Sequence, residues 1–262
     1  MIDCYHLRAA GREYYLTPYF KRSDIDRMDE NEEVRWNSCH NWSDADKDIA
    51  RGKTYVQIDD AIDGWVNDAR YFPRLFASAG IFLAVYLFLS LVIRDPIPII
   101  GELAGGLLAA FMLWRYMAEH DSKSEIVDKR RLELKQSAGN SLFVVNDGLG
   151  MIEGYLEKMA AMDAIELCDE LCNLGSVALD PLEVPEERKG VWLRDLYWML
   201  HKQVVVPSGE TKDALEKVLD LRREKKRSEK LSSRLFHLAG AGHIDLSLLA
   251  SMVALDALIR SI

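Results

Sequence analysis

The chain has 262 residues and a formal net charge of −9, from 42 acidic and 33 basic side chains. That acidic balance argues against general nucleic-acid binding. Cys4, Cys39, Cys168 and Cys172 are too few and too scattered for a disulfide framework, and they are expected to be reduced.

In chain order, residues 2–20 alternate loosely and are rich in Tyr and Leu, with Ala10-Gly11 between two runs, which predicts a β-hairpin. Ser23 opens an acidic stretch (Asp24, Asp26, Asp29, Glu30, Glu32, Glu33) that predicts a short helix through Arg35. A polar loop follows over Asn37–Ser43, then a helical turn over 44–51 and a strand over Lys53–Ile58. Ile62–Tyr71 predicts a short amphipathic helix. Trp65, Tyr71 and Phe72 on and beside it suit a membrane interface, where amphipathic rings favour the headgroup level.

The most informative tract comes next. Leu75 to Ile93 carries no charge, and after a short break a second apolar stretch begins at Ile97. At about 1.5 Å per residue, a helix of roughly 19 residues covers about 28 Å, close to a bilayer's hydrocarbon thickness. The first stretch has no polar stripe, so a helix built from it requires complete burial or lipid. The expectation is a two-helix transmembrane hairpin, 75–93 and 97–116. Glu102 and Arg115 shorten the second span unless Glu102 lies within the membrane near its far face. Arg70 and Arg74 precede the pair. Arg115, His120, Lys123, Lys129, Arg130 and Arg131 follow it, and the connecting turn holds only Arg94. Positive flanks remain cytoplasmic, so both termini are expected there. The short loops, and an N-terminus without an apolar signal region, point to a bacterial inner membrane with the first span as insertion signal. On that side the Asn41-Trp42-Ser43 triplet would stay unglycosylated.

Beyond the hairpin the pattern is helical. A charged stalk over Ser124–Gln136 continues the second span. Asn140 to about Val177 repeats apolar residues at three- and four-residue steps, weakened early by Gly148, Gly150 and Gly154. Pro185–Val206, Lys212–Ala239 and Ile244–Ile259 complete a bundle, the last helix apolar over most of its circumference. The predicted architecture is mainly α. It has an N-terminal α+β cytoplasmic domain (1–72), the hairpin (73–117), a stalk (118–137) and a C-terminal cytoplasmic bundle (138–262).

Several constellations carry chemistry. Gly101, Gly105 and Ala109, with Gly106 and Ala110 beside them, allow another helix to approach closely. The partner is either the first span, through Ala77, Gly80 and Ala84, or a second copy. Glu102 could ring a pore, pair with a partner helix or carry protons; the plainer reading is that it reaches the far interface. Arg222, Arg223, Lys225, Lys226, Arg227, Lys230 and Arg234 form a basic run in an acidic chain. It would bind lipid headgroups, a nucleic-acid strand or nucleotide signal, or the acidic segment 24–33; otherwise it is a solvated face with internal ion pairs.

Metal sites are not expected. Cys168 and Cys172 share one helix face without a nearby His and read as small buried hydrophobes. Cys4, His6, Cys39 and His40 match no zinc spacing, because adjacent Cys39 and His40 would point apart on regular backbone. Asp44, Asp46 and Asp48 imitate a calcium loop, but Ile49 and Tyr55 stand where Gly and Glu are needed. No phosphate loop, nucleophile elbow or dinucleotide fingerprint appears. The expected function is therefore a non-enzymatic membrane anchor for cytoplasmic interaction domains, without cofactor, that self-associates or recruits a partner at the bilayer. The alternatives are a gated pore or membrane-disrupting effector, and a membrane-tethered enzyme.

Overall fold

A computed structural model describes residues 1–19, 32–93, 100–172, 179, 181, 182, 184 and 190–261. The chain is mainly helical with one small mixed sheet. Its described elements run β1 (Ile2–Ala9), β2 (Arg12–Leu16), β3 (Val34–Ser38), α1 (Asp44–Phe88), α2 (Ile100–Ser122), α3 (Glu125–Gly139) and β4 (Leu142–Val145). Helices α4 (Asp147–Ala161), α5 (Ala164–Cys172), α6 (Val191–Leu200), α7 (Gly209–Arg223), α8 (Glu229–Gly240) and α9 (Leu246–Arg260) follow. Two compact units emerge: residues 1–18, 33–53 and 140–262 form one, and residues 19–32 and 54–139 the other. This division differs from expected boundaries near 72 and 138, because β4 joins the sheet of the N-terminal strands.

In the first unit the strand order is β2-β1-β3-β4. The β1–β2 hairpin turns at Ala10-Gly11, both with positive φ (53° and 71°), the backbone that two-residue hairpins require. β3 runs parallel to β1 on one side and to β4 on the other. It replaces the expected end of an acidic helix and start of a polar loop. Val34 and Trp36 are fully buried, as central-strand residues are. Asn37 is buried too, but its amide donates to Asp3 Oδ1 at 3.0 Å and to the Cys4 carbonyl at 3.2 Å. The acidic helix itself falls largely on residues outside those described.

The long amphipathic segment expected from Asn140 divides into β4, α4 and α5. Asn146 makes the first break: its side chain accepts from the Gly148 amide at 3.0 Å and caps α4. The expected charged helix 212–239 divides as well. α7 ends at Arg223, Lys225 takes a positive φ of 51°, and Ser228 caps α8. α9 is the core of the unit; Leu248 through Leu255 are all buried, enclosed by α4, α5, α6 and α7. This agrees with a bundle helix rather than a third span.

Helix α1 starts in the first unit and continues through the second. Ser43 and Asp46 cap it reciprocally: the Asp46 amide donates to Ser43 Oγ at 3.1 Å, and the Ser43 amide to Asp46 Oδ2 at 3.3 Å. The expected strand at Lys53–Ile58 lies inside this helix. Buried Ala50, Thr54, Ile58, Ala61, Ile62 and Val66 recur at helical spacing, and that tertiary contact outweighs local β propensity. In the second unit, α2 and then α3 run antiparallel to α1. A turn at Lys123-Ser124 interrupts the expected continuous stalk.

Candidate functional site

The α1/α2 pair is held by contacts in one register. Tyr71 meets Trp114 edge-on at 5.7 Å between ring centres. Arg74, only 2% exposed, bonds Asp121 at 2.8 Å and Asn67 at 2.9 Å. A Cβ on Gly106 would stand 2.8 Å from the Phe82 ring and 3.2 Å from the Phe82 carbonyl oxygen. A Cβ on Gly105 would stand 2.8 Å from Leu89. The two glycines thus admit bulky side chains of α1. The face they meet contains Phe82, Val85 and Leu89, rather than Ala77, Gly80 and Ala84. Ala109 and Ala110 are half-buried, while Gly101 is exposed.

Away from that seam the pair is apolar and open. Phe72, Phe76, Phe88, Leu91, Leu107, Phe111 and Met112 are each more than 60% or close to it exposed, Phe76 at 72%. Among the described residues one helix, Asp44–Leu91, is long and apolar enough to cross a membrane. Only 11% of its most apolar window is buried within the chain. The second expected span forms helix α2 but does not meet the same standard, since Glu102 and Arg115 bracket its apolar part. Its first three residues, 97–99, lie outside those described. Glu102 is buried at 5% exposure in the first turn of α2 rather than extended into the surroundings.

The basic run is spread over the end of α7, a turn and α8. Arg223 pairs with Asp220, Lys226 with Glu224, Arg227 with Glu229 and Arg234 with Asp213. Arg222 turns inward and donates to the Glu170 carbonyl at 3.3 Å; burial lowers its pKa. Lys225 and Lys230 are exposed. Most of the positive charge therefore faces a local carboxylate, the geometry of a solvated face.

A further cluster was not legible from spacing. Cys39 and His40 follow β3 in a bend, where adjacent side chains are not forced apart. Both meet Glu153 of α4: Cys39 Sγ lies 2.8 Å from Glu153 Oε2, and His40 Nε2 lies 2.8 Å from the same oxygen. Glu153 Oε1 accepts from the Arg8 amide at 2.7 Å. The carboxylate is 5% exposed, whereas the His40 side chain is 45% exposed. Burial, followed by the Glu153 hydrogen bond and charge, pushes the Cys39 thiol up to about 12. The three ligand atoms lie within 4.8 Å of one another, so this trio could hold a metal ion. The only sequence signal was the Cys-His dipeptide; Glu153, more than 100 residues away, was missed.

Other candidates resolve differently. Cys4, Cys168 and Cys172 are buried free thiols, and burial raises all three. His6 is outside the trio: its Nδ1 lies 3.3 Å from Ser38 Oγ, and its ring stacks on Tyr15 at 4.5 Å. Asp44, Asp46 and Asp48 pair with Lys47, Arg8 and Arg51, respectively. An open cleft of about 530 Å³ is lined by Asp3, Tyr5, Arg35, Asn146, Asp147 and Trp192, among others. Its Asp3 is held by Arg35 through two hydrogen bonds, at 2.6 and 2.8 Å. No protein-family profile, curated protein or solved structure matches the chain.

Proposed function

We propose that this protein is a non-enzymatic membrane anchor, in which the α1/α2 pair inserts as a transmembrane hairpin and tethers the mixed-sheet unit at the cytoplasmic face. One observation carries the reading: an antiparallel pair that meets along Gly105 and Gly106 leaves Phe72, Phe76, Phe88, Leu91, Leu107, Phe111 and Met112 exposed away from that seam. In water, apolar burial is worth about 25 cal/mol per Å², so such a surface would be strongly driven to a cover. Tyr71, Trp114 and Tyr116 lie at the end of the pair where exposed Arg70 and Arg115 also lie, the arrangement of an interfacial aromatic belt with positive charge inside. On this reading the chain enters and leaves the bilayer at that end, in keeping with both termini being cytoplasmic. Gly80 and Ala84 remain exposed on α1 and offer a close-approach strip for a second copy or a partner helix.

The gated-pore alternative receives less support, because the open faces are apolar and Glu102 is enclosed. The test is membrane fractionation followed by reconstitution. The anchor is expected to resist alkaline extraction, to require detergent, and to leave vesicles impermeable to ions. Release into the aqueous fraction as a monodisperse particle would overturn the anchor. Ion flux abolished by Glu102→Ala would favour the pore.

A further inference from the structure

We infer that Cys39, His40 and Glu153 bind one zinc-type divalent transition-metal ion, with a fourth coordination position open to solvent. The assignment does not depend on the anchoring proposal. It begins with the donor set. Thiolate, imidazole and carboxylate are the three ligand types zinc takes, and three protein ligands plus an open position is the pattern of non-structural zinc centres. Magnesium and calcium select oxygen donors and would gain nothing from the sulfur.

The geometry fits that chemistry. Sγ and Nε2 both converge on Glu153 Oε2 at 2.8 Å, and all three ligand atoms lie within 4.8 Å of one another. Tetrahedral zinc at its usual bond lengths spaces such atoms about 3.3–3.6 Å apart. The two contacts to Oε2 therefore need to lengthen by less than about 1 Å to admit the ion, with Sγ and Nε2 settling at the same spacing. The fold provides the shape without distortion of a strand. Regular β backbone would send residues 39 and 40 to opposite faces, but the chain leaves β3 at Ser38, and Ser38 Oγ accepts from the His40 amide at 3.2 Å to hold the bend.

Glu153 is positioned from behind. The Arg8 amide donates to Oε1 at 2.7 Å and leaves Oε2 facing the sulfur and the imidazole. Such outer hydrogen bonds orient metal-binding carboxylates. A buried carboxylate is costly without positive charge nearby, and a divalent ion supplies that charge where the described contacts are a thiol, an imidazole and one backbone amide. The half-exposed His40 marks the open side through which ion and water would enter. The site also lies at the carboxyl end of β3, the end at which open α/β sheets bind their ligands.

A nucleophilic cysteine is the competing use of the same residues. It requires the imidazole to take the thiol proton, with the carboxylate orienting the imidazole from its other side. Here one carboxylate oxygen contacts both groups at 2.8 Å, so the carboxylate stands between thiol and imidazole instead of behind the imidazole as a relay requires.

The test uses the full chain in detergent, stripped with a chelator and titrated with Zn²⁺ and with Co²⁺ as a spectroscopic probe. One ion per chain is expected, with a thiolate-to-cobalt charge-transfer band in the near ultraviolet. Cys39→Ser should remove that band. His40→Ala should weaken zinc binding at least about tenfold, the lower scale for loss even of a supporting contact. His40 is partly exposed, so its variant should keep the parent circular dichroism; this separates lost binding from lost fold. Glu153→Gln should weaken binding in the same direction. Absence of saturable binding, a cobalt band that survives in C39S, or unchanged zinc affinity in folded H40A would each overturn the assignment.

Discussion

Two halves of helix α1 share one backbone and differ in everything around it. From Thr54 to Arg70 the helix buries a stripe of small and branched residues, and charges on its rim meet α3: Arg131 reaches Asp59 and Asp63, and Lys135 reaches Asp59 at 2.7 Å. From Tyr71 to Leu91 the partner is α2, the seam is sealed by glycine, and the rim is Phe and Leu. The lower half is built as helices in water are built. The upper half keeps the interhelical contact but gives up the polar rim, the feature that the anchoring proposal assigns to lipid. The change occurs within a turn of Arg74, where a buried guanidinium is bonded to Asp121 and Asn67.

Access to water should differ most between the two halves. Val56 and Phe76 are both exposed apolar residues of α1, at 59% and 72%. In a C39S background in sealed vesicles with the cytoplasmic face outward, a membrane-impermeant thiol reagent should label the V56C variant and not the F76C variant. Equal labelling would place both halves in water. Next in size is Asp121→Ala. It leaves the Arg74 charge buried without its carboxylate, and removal of one partner of a buried pair typically costs about 3–5 kcal/mol. Detergent-resistant helix pairing, followed by thermal melting, should fall accordingly. Gly106→Leu drives a side chain into Phe82 and should cost about 1–3 kcal/mol by overpacking, measured the same way. Gly80→Leu meets open space and should leave the fold unchanged, so the pair of substitutions maps the seam.

Acid distinguishes the sheet unit from the helix halves. Burial holds the His6 imidazole below its ordinary value of 6.5. The unfolded chain therefore takes up a proton below 6.5 that the folded form resists, and stability present above that pH is lost as pH falls through the depressed folded value. The loss is at most about 1.4 kcal/mol per pH unit for one proton. Denaturation of the sheet unit between pH 7 and 5 should show that slope, and His6→Gln should reduce it, His201 of the same unit being held low by burial as well. The smallest effect belongs to the lower rim. Asp59→Ala removes contacts to partly exposed Arg131 and Lys135 and should cost under about 1 kcal/mol, with further weakening of the effect in high salt.

Legibility followed range. The β1–β2 hairpin was readable because its partners are adjacent and Ala10-Gly11 supplies the turn. The burial of α9 followed from its apolar circumference. β3 and β4 were not readable: each is short, and each pairs in parallel with a strand remote in sequence, so no local turn marks them. Arg35 and Asn37 made β3 look like loop until Asp3 provided their partner. The basic run looked like one helix because charge periodicity continues across Lys225, where a positive φ ends it. Glu153 was invisible as a ligand because helix spacing treats it as one more surface carboxylate.

Composition and periodicity alone determined that the chain is mainly helical, that one tract is apolar enough to span a bilayer, and that the acidic remainder is patterned for water. These are properties of residues and their near neighbours, and hydrophobic pattern reports them directly. Which glycines of α2 meet which side chains of α1, the pairing of β4 with strands that precede the helix pair in sequence, and the convergence of Cys39, His40 and Glu153 came from the folded chain. Those outcomes depend on contacts between distant segments, whose geometry is set by the packing of the whole unit and leaves no local periodic trace.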